Sequence, residues 1–156
     1  MIAKYVKERG YEGKDPSLTI GKEYLVFRMI LNSINSETTL SLPCDDDNEL
    51  ALFNLKNFEI IDNRLPEGWG FFALWDGCYS LEPCAFRGDF WDLYYEGEPS
   101  EVTKLLQKYS GQQHIDPQAI FKEEERKLKL LHGIEIIEEK SIEPEDPYAW
   151  PFGEYK

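Results

Sequence analysis

The chain has 156 residues, of which 42% are hydrophobic and 14% aromatic, and it carries a net charge of −13. This length and apolar content allow a core without disulfides or metals, and they exclude an intrinsically disordered chain. No apolar run approaches the roughly 20 residues of a membrane-spanning helix, and the negative charge argues against binding to nucleic acid or to anionic membranes. Because Met1–Arg9 lacks the features of a secretory signal, we expect a cytoplasmic protein.

The first part of the chain predicts short strands joined by turns. Ile2–Lys7 is typical of an opening strand. Tyr24–Leu31 and Thr38–Leu42 are expected to pair as a hairpin around the turn residues Asn32–Ser36. Phe58–Ile61 predicts one more short strand.

A second hairpin is predicted from Trp69 to Leu81. The Asp76-Gly77 pair between two apolar runs is typical of a type I′ turn, because both residues tolerate positive φ angles. We therefore expect strands at Trp69–Trp75 and Cys78–Leu81.

The pattern then changes to helical. Three segments are expected to be helices: Asp89–Tyr95 before Gly97, Pro99–Gly111, and a segment from Asp116-Pro117 to Gly133. Residues that start or stop helices mark all three, and the second also has apolar residues at helical spacing. Strands followed by helices indicate an α+β fold, with a small curved antiparallel sheet or barrel and two or three helices packed against it.

Residues 1–133 are expected to form a single globular domain. Residues 134–156 are expected to add a strand at Ile134–Ile137 and an acidic tail rich in proline and aromatic residues. That tail holds seven of the 30 acids and two of the 17 bases, so most of the negative charge belongs to the domain itself.

No cofactor or metal site is predicted. Cys44, Cys78 and Cys84 form no CxxC pair, and neither His114 nor His132 has cysteines at zinc-site spacing. The acidic run from Asp45 to Glu49 fails as a calcium loop, because an EF-hand needs glycine and glutamate where this chain has Leu50 and Lys56.

That acidic run has two alternative interpretations. One is a solvated loop between strands, which is the commonest setting for clustered acids. The other is an anionic patch for a basic partner, formed by Asp45, Asp46, Asp47 and Glu49.

The aromatic residues between Trp69 and Tyr95 also have two interpretations. Most should lie in the core, where aromatic side chains dominate packing. Trp75, Tyr94 and Tyr95 are the best candidates for partner contacts, since tryptophan and tyrosine are enriched in binding hot spots.

No catalytic residues are predicted. The chain has no phosphate loop, HExxH or GxSxG motif. Acids suitable for general acid and base roles are abundant and therefore unspecific: Glu67, Asp76, Glu82, Asp89 and Asp92. Cys44 or Cys84 could be a nucleophile only if His114 lay nearby.

Two segments, Leu18–Tyr24 and Phe58–Arg64 followed by Trp69, resemble small SH3-like β-barrel immunity proteins of bacterial polymorphic toxin and contact-dependent growth inhibition systems. Phe90-Trp91-Asp92 and the segment 98–109 are similar to the aromatic segment and amphipathic helix that end such proteins. The resemblance covers about two thirds of the chain and excludes residues 134–156. It implies a stoichiometric inhibitor that blocks the active site of one cognate toxin, commonly a basic nuclease.

Three functions therefore remain in view. The first is neutralisation of a basic toxin domain through acidic surface contacts. The second is an SH3-like adaptor that binds extended peptides through its aromatic residues. The third, with least support, is a small hydrolase that uses Cys84 or a pair of carboxylates.

Overall fold

The computed structural model describes residues 1–6, 17–96 and 116–136. Over these ranges it has eight strands and two α-helices, which confirms the expected α+β class with a small antiparallel sheet. The strands are β1 Ile2–Tyr5, β2 Glu23–Leu25, β3 Arg28–Asn32, β4 Glu37–Pro43, β5 Leu50–Asn54, β6 Phe58–Asp62, β7 Trp69–Ala73 and β8 Cys78–Pro83. The helices are α1 Phe90–Glu96 and α2 Pro117–Leu131.

The strands form two antiparallel sheets. The first has three strands in the order β2-β1-β6, and the second has five in the order β5-β4-β3-β8-β7. One core contains residues from both sheets and includes Met1, Tyr24, Leu40, Leu42 and Phe58. The sheets are therefore packed together by a shared apolar interior.

A second core joins the five-stranded sheet to the helices. It contains the buried residues Phe27, Leu50, Phe86, Phe90, Phe121 and Leu128. The rings of Phe86 and Phe90 stack with centroids 4.1 Å apart, and those of Phe27 and Phe121 lie 4.7 Å apart. Helix α2 is thus held by its apolar side.

The prediction of a single strand at Tyr24–Leu31 is wrong. The segment divides into β2 and β3, which belong to different sheets. Val26 and Phe27 link the two strands and are both fully buried, Val26 in the first core and Phe27 in the second. No polar turn residue separates the two strands, because each of the linking residues faces one of the two cores.

Both predicted hairpins are present. Strand β3 pairs with β4, and β7 pairs with β8. The prediction of a type I′ turn is wrong. Such a turn needs a positive φ at both central residues, and only Gly77, with φ +70°, has one, since Asp76 lies outside the left-handed region. Ser33 donates from its backbone amide and its hydroxyl to the Gly77 carbonyl, each at 2.8 Å, so the tips of the two hairpins are joined.

The helix predictions have mixed outcomes. Asp116 caps α2 by accepting hydrogen bonds from two amides of the first turn, and Gly133 follows the helix with φ +67°, as expected. Helix α1 matches its predicted segment to within a residue. The strand expected at Ile134–Ile137 is absent over 134–136.

Other predictions lie outside the described residues: the helix at 99–111, the end of the first strand beyond residue 6, and the tail from 137 onwards. In the ranges that are described, neither helix combines the length and apolar character needed to cross a membrane.

Candidate functional site

The acidic run forms the loop between β4 and β5. Its residues from Asp45 to Glu49 are exposed. The loop is closed by two backbone hydrogen bonds, from the Cys44 amide to the Glu49 carbonyl at 2.9 Å and from the Asn48 amide to the Cys44 carbonyl at 3.0 Å. Asn48 adopts a φ of +57°, which asparagine tolerates better than most residues.

Asp45 differs from the other acids of the loop because it anchors the loop to the fold. Its carboxylate pairs with Lys22 Nζ at 2.6 Å and accepts hydrogen bonds from Thr19 Oγ1 at 2.6 Å and Tyr24 OH at 2.9 Å. The hydrogen bond from Lys22 is the main reason that the pKa of Asp45 lies below its usual value. Its charge is therefore largely compensated within the domain.

Asp46, Asp47 and Glu49 form no ion pair with any described residue. Asp46 Oδ1 accepts the Asp47 amide at 3.1 Å, and Asp47 Oδ1 accepts the Glu49 amide at 2.9 Å. These bonds orient the carboxylates without neutralising them. The loop thus presents three uncompensated negative charges to solvent, and we call these three residues the acidic loop.

Tyr94 and Tyr95 meet the chain where the acidic loop ends. The Leu50 amide donates to Tyr94 OH at 3.2 Å, and Tyr95 OH donates to the Leu50 carbonyl at 3.0 Å. Burial raises the pKa of both hydroxyls, and for both a nearby Glu49 carboxylate raises it further. The structure therefore brings these two predicted tyrosines next to the predicted acids.

The two tyrosines differ in exposure. Tyr94 is half-buried among the rings of α1 and stacks on Phe90 at 5.8 Å, so most of its surface packs within the domain. Tyr95 is 52% exposed while its hydroxyl is bonded to Leu50. Of the two tyrosines, Tyr95 is therefore the one whose exposed surface is available for contact with a partner.

Trp75 lies away from the acidic loop. It is 66% exposed in the turn between β7 and β8, and it lines a groove together with Glu37 at the start of β4. The acidic loop follows Pro43, at the other end of β4. A seven-residue strand places its ends about 20 Å apart. The predicted residues therefore form two areas on the domain.

A buried ion pair lies where α1 meets the five-stranded sheet. Arg28 of β3 and Glu82 of β8 are 9% and 1% exposed, and Nε of Arg28 lies 3.8 Å from Oε2 of Glu82. Trp91 of α1 completes the group: the Arg28 guanidinium lies 3.7 Å from its ring centroid, and its Nε1 donates to Glu82 Oε2 at 3.3 Å. We call these three residues the Arg28 cluster.

Sequence reasoning missed the Arg28 cluster as a unit. Burial lowers the pKa of Arg28 and raises that of Glu82, while each partner's charge opposes the effect on the other. The available signal was a lone arginine inside the apolar run at 24–31, since arginine is rarely buried unless it is paired. Nothing in the sequence indicated its partner.

One group of possible metal ligands occurs among the described residues. Cys44 Sγ and carboxylate oxygens of Asp46 and Asp47 lie within 4.8 Å of one another. A thiolate and two carboxylates suit a borderline cation such as Zn²⁺. The carboxylates also bond the loop backbone, so their positions have an explanation within the fold.

The residues considered for catalysis differ in burial and in contacts. Cys44 is buried and Cys84 exposed, and His114 lies outside the described residues. His132 has contacts at both ring nitrogens, with Asp62 Oδ2 at 3.1 Å and the Met1 amino group at 3.0 Å. These contacts connect the end of α2 to the three-stranded sheet.

The geometry thus offers an acidic loop beside two tyrosines, a distant exposed tryptophan, and a buried arginine cluster between them. The chain was compared with protein-family models, with curated proteins and with solved structures, and no match was found in any of the three comparisons.

Proposed function

We propose that this domain is an immunity-type inhibitor that acts in the cytoplasm, where it binds one cognate basic toxin domain and blocks its active site. The observation that carries the proposal is the acidic loop, whose three carboxylates are exposed and unpaired in the described structure beside the exposed Tyr95. Such a surface complements a cationic groove that binds phosphate, as in a nuclease.

Charge and anchoring have separate roles in this proposal. The net charge of −13 attracts a basic partner over distances of about a Debye length, which speeds encounter but adds little lasting affinity. Lasting affinity needs a rigid aromatic contact, and Tyr95 provides one because its hydroxyl is held by Leu50. Inhibition of this kind needs no catalytic residue.

The test uses the toxin domain encoded by the reading frame next to this gene. Isothermal titration should show tight binding, and co-expression should protect cells from that domain. Absence of both heat and protection would contradict the proposal.

A charge-reversal variant tests the acidic loop itself. Asp46→Lys/Asp47→Lys/Glu49→Lys should slow association with the toxin domain about tenfold or more at low salt, with a smaller effect at high salt. The matched control reverses three exposed acids elsewhere in the fold: Glu59→Lys/Glu67→Lys/Glu135→Lys. Equal slowing by both variants would mean that net charge matters and the loop does not.

A second candidate function is peptide binding by an SH3-like adaptor. The observation that favours it is a stacked aromatic pair, Phe71 and Tyr79, with ring centroids 5.4 Å apart and Phe71 61% exposed. Exposed aromatic ladders accommodate proline-rich segments. Binding of several unrelated proline-rich peptides, lost in Phe71→Ala, would favour this function over the inhibitor.

A further inference from the structure

A groove of about 260 Å³ lies on the five-stranded sheet beside the Arg28 cluster. Its apolar walls are Ile30, Leu52 and Trp75. Its polar lining is Arg28, Asn32, Glu37, Thr39 and Cys78. Arg28 thus belongs both to the buried cluster and to the surface of the groove.

The hydrogen bonding of Arg28 is incomplete. A guanidinium carries five N–H donors. Among the described residues only the Nε group has an acceptor, Ser41 Oγ at 3.4 Å, and no described group accepts from Nη1 or Nη2. The Nη atoms are not among the buried side-chain atoms without a partner, so they reach solvent, and Arg28 lines the groove.

Glu82 does not supply the missing acceptors. Its closest approach to Arg28 is 3.8 Å, beyond hydrogen-bond distance, and the same oxygen accepts from Trp91. The Trp91 ring lies against the guanidinium, which limits its reorientation. Arg28 is therefore held in place with donors available for an acceptor that enters from the groove.

We propose that this groove binds a small amphipathic monocarboxylate, whose carboxylate accepts from the Nη groups of Arg28 and whose apolar body lies against Ile30, Leu52 and Trp75. Arginine matches the planar carboxylate by bidentate hydrogen bonding. Glu82, Glu37 and the net charge of −13 repel any anion and repel a dianion such as phosphate more strongly, which favours a ligand with a single negative charge. The volume is just below that of typical pockets for drug-sized ligands, which points to a short acid.

The binding test titrates hexanoate against the intact chain and follows backbone amides and tryptophan indoles by NMR. We expect shifts at Trp75 and at the groove strands, and an affinity for hexanoate about tenfold or more above that for 1-hexanol, because the acid adds charge-assisted hydrogen bonds. Hexylamine should bind more weakly than either. Equal affinity for acid and alcohol, or no shift in the groove, would overturn the proposal.

Two variants separate the groove from folding. Leu52→Asp places a negative charge on a half-exposed wall and should abolish hexanoate binding, whereas Leu130→Asp, at an exposed position on α2, should leave it unchanged. Arg28→Met/Glu82→Gln should bind hexanoate no better than 1-hexanol. If the folded double variant still prefers hexanoate to 1-hexanol, the proposed role of Arg28 is wrong. If the double variant does not fold, the test is Leu52→Asp, and unchanged hexanoate binding in that variant would contradict the proposal.

The hexanoate test needs no toxin domain, so its outcome does not depend on the proposed function. The two sites are neighbours, because the Trp91 ring of the Arg28 cluster stacks on Tyr95 with centroids 5.9 Å apart. Leu52→Asp therefore tests the groove, and the charge-reversal variant tests the acidic loop.

Discussion

Removal of Arg28 alone should destabilise the fold more than removal of the whole ion pair. In Arg28→Met, Glu82 keeps a buried charge with no cation beside it, which costs about 3–5 kcal/mol in comparable sites. Part of that cost is the contact with Trp91, since a desolvated cation–π pair contributes about 2 kcal/mol. In Arg28→Met/Glu82→Gln no charge remains buried, so we expect the double variant to be at least about 1 kcal/mol more stable than Arg28→Met.

The assay is urea unfolding followed by tryptophan fluorescence and circular dichroism, with a constant slope as evidence that the same transition is measured. Arg126→Met is the matched control, because Arg126 pairs with Glu123 on the exposed side of α2 and its loss should change stability little. If the costs of Arg28→Met and Glu82→Gln simply add to within about 0.5 kcal/mol, the two groups do not act as a pair and the reasoning is refuted.

A second readout comes from pH. Burial raises the pKa of Glu82 in the folded state above its unfolded value. A folded protein that binds more protons than the unfolded chain loses stability as pH rises through that interval. Loss of Arg28 should raise the pKa of Glu82 further, so Arg28→Met should be less destabilising at pH 5 than at pH 8. The opposite order would show that a buried, unpaired Glu82 charge is not the cause of the stability loss.

Three further predictions concern other parts of the domain. Burial lowers the pKa of the Met1 amino group from 8.0 to about 6, so the folded state binds fewer protons and the free energy of unfolding should rise by about 1–2 kcal/mol from pH 6 to pH 8, allowing for partial solvent screening. Gly77→Ala should cost about 1–3 kcal/mol in urea unfolding, because φ is +70° and an added Cβ would lie 2.7 Å from a neighbouring side chain. Tyr95→Phe should cost about 1 kcal/mol by leaving the Leu50 carbonyl without its donor, whereas Tyr79→Phe should be neutral.

The sequence predicted correctly those elements that depend on one residue or on a short segment. The cap at Asp116 and the stop at Gly133 follow from single residues at helix ends, and both are present. The β7–β8 hairpin follows from two apolar runs around a glycine. Its turn type could not be predicted from Asp76-Gly77 alone, because the contact between Gly77 and Ser33 of the other hairpin also constrains it.

Elements decided by distant contacts were missed. The break between β2 and β3 exists because Val26 and Phe27 enter different cores, and the intervening sequence shows no turn residue. Strand β5 was not predicted, since Leu50–Asn54 has consecutive apolar residues without clear alternation. Pairing with β4 makes it a strand.

In the candidate sites, too, residue types could be identified from the sequence, whereas contacts between distant residues could not. The acids of the loop and the tyrosines of α1 were identified by residue type, yet their meeting at Leu50 depends on residues more than 40 positions apart. The Arg28 cluster joins β3, β8 and α1, and no spacing rule connects residues 28, 82 and 91. Only the fold reveals a guanidinium with unused donors.

The β4–β5 loop is fastened at both ends, by Asp45 to Lys22 at its start and by Leu50 to Tyr94 and Tyr95 at its finish. A partner that docks there meets carboxylates whose backbone is already ordered, so association sacrifices less conformational entropy than ordering a mobile loop would. The same fastening fixes the spacing of the charges, which favours one arrangement of cations over others and gives selectivity without enlarging the contact area.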